Sequence, residues 1–134
     1  MRKKIPMNEK GAKSLILFML LFIGLYTAWN FEHTLTTSLS PEKNYKLAIK
    51  YVTPFSFGEH KIKLLYGPPA LFSLNKKSFT THLDNDGMAL NDSNYEIEWV
   101  DDNIVKIRLI GFNLTNSETY IINCSTDEIT KLLG

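Results

Sequence analysis

Two histidines and one aspartate are the residues of this 134-residue chain best suited to catalysis or metal binding. Imidazole nitrogens and carboxylate oxygens bind zinc and carry protons, so His60, His82 and Asp84 could together serve an envelope hydrolase or another metal-dependent enzyme. The two histidines lack the i,i+4 spacing by which a helix presents two ligands on one face. This enzyme is therefore the alternative hypothesis, and we predict no metal and no cofactor.

The segment around Asp84 also resembles half of a calcium-binding loop. The pattern His82-x-Asp84-x-Asp86-Gly87 alternates potential ligands and ends in glycine, as does a chain that wraps a hard cation. However, the first position is a histidine, and the twelfth is Ser93 where a bidentate glutamate is needed. Asp, Asn and Gly also favour turns, so we predict a turn here.

The other reactive groups form no known catalytic motif. Cys124 is the single cysteine, and it lies on a predicted strand without the local sequence of a thiol nucleophile. The adjacent Asp101 and Asp102 are typical of a turn. The chain contains no G-x-S-x-G, no phosphate-binding glycine loop and no H-E-x-x-H. We therefore predict that the protein is not an enzyme.

An uninterrupted apolar run follows a basic head. Residues 1–13 carry a net charge of +4. Residues 14–31 contain no charged side chain, and these 18 residues correspond to about 27 Å of helix, close to the roughly 30 Å of a bilayer's hydrocarbon core. We predict a transmembrane helix over 14–31, and the residues that represent it are Leu15, Phe18, Leu21, Gly24, Ala28 and Trp29.

The basic head predicts the orientation of this span. Positively charged flanks stay in the cytoplasm, so the remainder of the chain is expected outside the cell membrane. The use of 13 lysines against two arginines is typical of an AT-rich bacterial genome. The alternative is a signal peptide whose cleavage releases a secreted β domain. Cleavage after Ala28 would place the bulky Tyr26 at position −3, which favours a retained anchor.

Charge and small residues predict the partners. The bilayer is the first partner, and the small-xxx-small pair Gly24 and Ala28 predicts a homodimer through the span. Residues 32–134 contain ten basic and thirteen acidic residues. The resulting charge of −3 predicts no nucleic-acid binding, because a phosphate backbone attracts cationic surfaces.

The outward segment predicts a linker and then a β domain. Residues 32–44 are polar, contain one proline and show no period, which indicates a linker that ends in a turn at 40–43. From 45 to 134, apolar and polar residues alternate with the period of strands. The predicted fold is mainly β: an N-terminal transmembrane helix followed by a small antiparallel β-sheet domain of about six or seven strands. The strands are centred on 45–51, 62–66, 79–83, 95–99, 105–109, 119–123 and 129–133.

Two of these strands predict a specific hairpin, and the last segment leaves two readings open. Residues 95–109 form a hairpin in which glutamates 96 and 98 face Lys106 and Arg108, which would help to set the register. Residues 125–133 fit a capping box and short helix or a turn and strand. The β neighbourhood favours the strand.

Two phrases carry a family resemblance. S-P-E-K-N-Y-K-L at 40–47 and Y-E-I-E-W-V-D-D-N-I-V-K-I at 95–107 resemble small single-span bacterial proteins of uncharacterised families, whose outward β-rich domain begins S-P-[DE]-x-x-Y. They resemble more weakly the S-P-D-G and W-x-D-D phrases of TolB-type propeller blades. Only one blade's worth of chain is present, so the resemblance implies local strand and turn chemistry and not a closed propeller. It implies no activity.

Apolar loop residues predict how such a domain would work. Phe55, Phe57, Pro68, Pro69 and Phe72 lie in predicted loops, where a clustered apolar surface would contact a protein. Packing over an open end of the sheet is the other reading. We predict a single-pass bacterial envelope protein whose outward β domain binds a protein or wall component without catalysis, as an immunity-type protein does.

Overall fold

The computed structural model describes residues 8–29, 31–53 and 59–133 and divides the chain into two compact units. The first unit, Met1–Phe31, contains the helix α1 (Glu9–Trp29). The second unit, Glu32–Gly134, is called the β body. Its strands are β1 (Glu32–Leu39), β2 (Lys46–Val52), β3 (His60–Gly67), β4 (Lys77–Leu83), β5 (Tyr95–Asp101), β6 (Ile104–Ile110), β7 (Ser117–Asn123) and β8 (Glu128–Leu132), with a one-turn helix α2 (Phe72–Asn75) between β3 and β4.

Helix α1 is longer at its start than predicted. Asn8 caps it by accepting a hydrogen bond from the Lys10 backbone N–H at 3.3 Å, so helical hydrogen bonding begins ahead of the apolar run. The helix ends at Trp29, two residues before the predicted end at 31. The large apolar side chains from Leu15 to Tyr26 are each 51–67% exposed. This helix is long and apolar enough to cross a membrane.

The prediction of a linker over 32–44 is wrong in its first eight residues. Residues 32–39 form β1, which pairs antiparallel with β2 from Glu32 opposite Val52 to Leu39 opposite Lys46. The register shifts between Thr34 and Thr36, so the residues that face one side of β1 do not follow a strict period of two along the sequence. An edge strand also needs only one neighbour and can remain polar. The predicted turn at 40–43 is confirmed, because the Lys43 N–H donates to the Ser40 carbonyl at 2.9 Å.

The mainly β fold is confirmed, with eight strands in two antiparallel sheets. The first sheet has the order β1-β2-β3-β4 and the second has the order β5-β6-β7-β8, so each is a meander of consecutive strands. The described residues therefore form two four-stranded sheets, where the chain length indicated one blade's worth. The sequence shows no repeat that would announce the second sheet.

The inward faces of the two sheets share one core. The buried residues of the first sheet include Leu47, Ile49, Ile62 and Leu64, and those of the second include Val105, Ile107, Leu109 and Ile122, all 0% exposed. Fully burying such a side chain stabilises a fold by about 1.5–3 kcal/mol. Polar contacts also join the two sheets: Trp99 Nε1 donates to Ser38 Oγ at 2.9 Å, and the Thr81 and Tyr120 hydroxyls lie 3.0 Å apart.

The predicted hairpin and the predicted last strand are both confirmed. Glu96 pairs with Arg108 and Glu98 pairs with Lys106 in the β5–β6 register. Strand β8 pairs with β7, which excludes the helix for this segment. Cys124 lies in the turn between these two strands and not on a strand as predicted; it is 8% exposed.

Candidate functional site

The structure separates the two histidines of the enzyme hypothesis. His60 is 0% exposed, and its Nε2 lies 2.8 Å from the Met88 carbonyl, to which it donates. His82 is exposed, and it pairs with Lys61, whereas His60 pairs with Leu83. Neighbouring residues of a strand point to opposite faces. His60 therefore faces the core and His82 faces outward, so these residues and Asp84 do not share one site.

His82 and Asp84 do line one groove of about 350 Å³, together with Glu59, Glu118 and Lys131. These groups lie around the end of β4 that leads into the 84–94 connection. Among the described residues, no group of three or more His, Cys, Asp or Glu side chains is arranged to hold a metal ion. The half calcium loop is a turn, in which Asp84 Oδ1 accepts from the Asp86 N–H at 2.9 Å.

Within this groove, Glu118 is the centre of a polar network that joins the two sheets. Its carboxylate accepts hydrogen bonds from the Tyr120 hydroxyl, from Lys131 Nζ at 2.9 Å and from Thr81 Oγ1 at 3.4 Å. Burial raises the pKa of Glu118, but these hydrogen bonds outweigh burial and the net pKa lies below its usual value. The same contact raises the pKa of Lys131. The network holds β4 against β7 and β8.

The predicted aromatic patch is only partly described. Phe55 and Phe57 lie outside the described residues; of the flanking positions, Thr53 follows the end of β2 and Glu59 precedes the start of β3, which pairs with that end of β2. Pro68, Pro69 and Phe72 follow the other end of that strand. Because β3 has eight residues, these ends are roughly 23 Å apart. The described part of the predicted patch therefore lies in the β3–β4 connection.

This connection presents leucines that the sequence reading did not select. We call Pro68, Pro69, Leu71, Phe72 and Leu74 the β3–β4 patch. Leu71 is 69% exposed and Leu74 is 77% exposed, although both are large apolar residues. Leu71 also has φ 51° and ψ 40°, a left-handed conformation that costs a branched residue on the order of 1–3 kcal/mol. Strain of this size persists only where the surrounding structure holds it.

The surrounding contacts show what holds the patch. The Leu71 carbonyl accepts hydrogen bonds from the N–H groups of Leu74 at 2.9 Å and Asn75 at 3.1 Å. A Cβ atom on Gly67 would lie 3.0 Å from the Asn75 carbonyl oxygen, so the glycine lets the connection fold closely against the end of β3. Lys46 Nζ lies 5.0 Å from the centre of the Phe72 ring. The β3–β4 patch therefore lies on a turn that hydrogen bonds and close packing hold in place.

A second surface lies on the outward side of the first sheet. Lys50 of β2 pairs directly with Lys63 of β3, and Lys61 lies on the same side, two residues before Lys63. We call these three residues the lysine face. Like charges placed directly opposite one another destabilise a sheet. Sequence alternation places each lysine on the polar side of its strand, but only the pairing brings them together.

Glu32 is the only described acidic residue that forms an ion pair with the lysine face. Its carboxylate contacts Lys63 Nζ. That hydrogen bond is the main reason that the pKa of Glu32 lies below its usual value; burial opposes it, and the charges of Lys63, Lys50 and Lys76 add to it. One carboxylate therefore faces several ammonium groups.

The outward side of the second sheet has the opposite arrangement. Arg108 Nη1 lies 3.7 Å from Glu96 Oε2, and Lys106 Nζ lies 3.9 Å from Glu98 Oε2. These pairs border a groove of about 470 Å³. Exposed pairs contribute little to stability, but they neutralise this side. The two sheets thus differ in charge balance although both have polar outward sides.

Comparison of the chain with protein-family models, with curated proteins and with solved structures returned no match.

Proposed function

We propose that this chain is a single-pass bacterial envelope protein that binds a partner protein without catalysis. Helix α1 serves as the anchor, the basic head stays in the cytoplasm and the β body stands outside. The length and apolar composition of α1 support the anchor, and the charge of +4 on residues 1–13 supports the orientation.

The observation that carries the binding role is the β3–β4 patch. A fold that only had to remain soluble would gain by placing polar residues at positions 71 and 74, where the side chains are 69% and 77% exposed. The left-handed Leu71 adds a cost in stability to the same turn. Apolar anchors on a preorganised turn suit protein recognition, because few degrees of freedom are lost on binding.

Photo-crosslinking in the native membrane tests this role. A benzoylphenylalanine replaces the exposed Ser73, which lies in α2, between Leu71 and Leu74 in the sequence. We expect one discrete crosslinked protein from the otherwise unchanged full-length chain. The double variant L71D/L74D should lose that product. The matched control V100D changes an exposed apolar residue outside the patch, a valine at 61% exposure, and should retain the product.

Two results would contradict the proposal. Loss of the crosslink in V100D as well as in L71D/L74D would show that the charge, and not the patch, matters. The absence of any crosslinked product from a chain that sediments with the membrane would remove the binding role. Protease digestion of intact cells tests the topology, because only an outward β body is cut from outside. N-terminal sequencing distinguishes the retained anchor from a secreted, cleaved form.

A further inference from the structure

The lysine face is a concentration of positive charge on a β body that is acidic as a whole. Residues 32–134 have a net charge of −3, yet Lys50, Lys61 and Lys63 meet on one side of the first sheet. Glu32 is the single described acid paired there, and no described acidic residue lies within ion-pair distance of Lys50 or Lys61. This arrangement favours an anionic ligand.

The arrangement also costs stability that the fold could have avoided. Lys50 and Lys63 are direct cross-strand partners, which is the placement in which like charges destabilise a sheet most. The second sheet shows the alternative, since both charged outward pairs between β5 and β6 join an acid to a base. A ligand that supplies the missing negative charge would explain why the outward side of the first sheet carries lysines without a described acidic partner.

The position of this face along the chain indicates which anion is near. Only two residues separate the end of α1 at Trp29 from Glu32, and three extended steps span at most about 11 Å. Lys63 contacts the carboxylate of Glu32. The headgroup layer of a bilayer is roughly 5–7 Å thick on each side of the hydrocarbon core. If α1 spans the bilayer, Glu32 follows that span within a few residues of chain, so lipid headgroups are the nearest anionic groups along the chain.

We propose that the lysine face binds the phosphate groups of anionic phospholipids in the bilayer from which α1 emerges. The inference rests on the anchoring role proposed above. Lysine suits this ligand, because its flexible stem reaches a diffuse layer of charge and needs no fixed geometry. The anchor also supplies a high effective concentration, so a few weak contacts suffice to hold the β body at the surface.

Lysine footprinting of the full chain in lipid nanodiscs tests the proposal. One set of discs contains phosphatidylcholine alone, and the other contains equal parts of phosphatidylcholine and phosphatidylglycerol. A water-soluble amine-acylating reagent is quantified at each lysine by mass spectrometry. We expect labelling of Lys50, Lys61 and Lys63 to be roughly fivefold slower in the anionic discs, which corresponds to about 1 kcal/mol per lysine. Salt on the order of 1 M should restore the rate, because the Debye length is then about 3 Å.

Lys106 is the internal control. Its side chain is 43% exposed and pairs with Glu98 on the neutralised side of the second sheet. Its labelling rate should be the same in both discs. Equal rates at Lys50, Lys61 and Lys63 in the two discs, or a slowing at Lys106 as large as theirs, would overturn the proposal.

Two variants should change the protection of the lysine face from labelling in opposite directions. Glu32→Gln removes the paired acid and should strengthen the protection of Lys50 and Lys61 in anionic discs. The double variant K50Q/K61Q should weaken the protection of Lys63, whereas the matched variant K106Q/R108Q should leave it unchanged. Circular dichroism confirms that each variant keeps its strands. A shift in the same direction for Glu32→Gln and K50Q/K61Q would contradict an electrostatic contact.

A soluble anion is the competing source of phosphate. Polyphosphate is added to phosphatidylcholine discs as a third arm. Protection by polyphosphate without protection by phosphatidylglycerol would overturn the lipid assignment. The anchoring role is scored separately, by whether the chain purifies with phosphatidylcholine discs at all. Failure to do so refutes the anchor and is distinguishable from equal labelling in a chain that has inserted.

Discussion

Gly111 lies where the two sheets are joined, and it leaves no room for a side chain. It follows β6 and is buried. A Cβ atom at this position would lie 2.3 Å from the Asp84 carbonyl oxygen and 2.9 Å from Asn116 Cβ. The Asp84 carbonyl also accepts a hydrogen bond from the Phe112 N–H at 3.0 Å. In Gly111→Ala, that carbonyl must therefore move and release its donor.

The expected cost follows from these contacts. Overpacking of a closed site costs about 1–3 kcal/mol, and the lost hydrogen bond adds about 0.5–1.5 kcal/mol. The alanine recovers about 0.4–1 kcal/mol by restricting the unfolded chain. The free energy of unfolding should fall by about 2–3 kcal/mol, which lowers the melting temperature by roughly 10–20 °C for a body of about 100 residues.

Tryptophan fluorescence measures this change. The chain has two tryptophans, and Trp29→Phe leaves Trp99, which packs against the core, as the reporter. Gly67→Ala is the graded control, because its Cβ would lie 3.0 Å from the Asn75 carbonyl oxygen, which would have to move by only a few tenths of an ångström. It should cost less than about 1 kcal/mol. Equal stability of Gly111→Ala and its parent, or a larger loss in Gly67→Ala, would refute this steric reasoning.

Three further predictions concern buried polar groups. The folded-state pKa of Glu118 is lowered, so its ionised form stabilises the fold above the usual pKa of about 4.5, and this contribution is lost as pH falls through the folded pKa. Glu118→Gln should therefore lower the free energy of unfolding at neutral pH, and its urea midpoint should fall less than that of the parent as the pH is lowered. Burial, aided by the charges of Asp127 and Asp102, raises the pKa of Cys124 to about 11. A disulfide reagent should therefore react slowly with this thiol at neutral pH. A reaction faster than that of the unfolded chain would contradict the prediction. Asn94 donates to the Ile110 carbonyl at 2.8 Å and to Asn85 Oδ1 at 3.1 Å, so Asn94→Ala should cost about 2–4 kcal/mol in a denaturant titration, and a loss below about 0.5 kcal/mol would show that water replaces the amide.

The strands were predictable where their own residues alternate. In β2, Leu47 and Ile49 alternate with Lys46 and Lys50, and the half-buried environment enforces that period. The β5–β6 register could also be read, because its opposite charges lie a short turn apart. Strand β1 could not, since it is polar, irregular and held only by pairing with β2. Because its own residues do not alternate, no local pattern reveals this strand.

The candidate surfaces show the same division. Exposure of Leu71 and Leu74 depends on how the β3–β4 connection turns, although the preceding Gly67-Pro68-Pro69 was a readable signal that a strand ends there. His60 and His82 lie on different strands, and that they face opposite sides follows only from the β3–β4 register, in which His60 pairs with Leu83. The predicted patch of five residues stays a prediction, because Phe55 and Phe57 lie outside the described residues.

By itself, the sequence determined an apolar segment long enough to cross a membrane, the β character of the residues that follow it and the polar side of the strands whose residues alternate, because these depend on the order of residues over one element. The tertiary structure alone decided that there are two sheets with one shared core, and that Lys50 meets Lys63 instead of an acid. The physical reason is that strand pairing joins residues distant in the chain. Which charges become neighbours therefore depends on register and topology, and local periodicity contains no record of either.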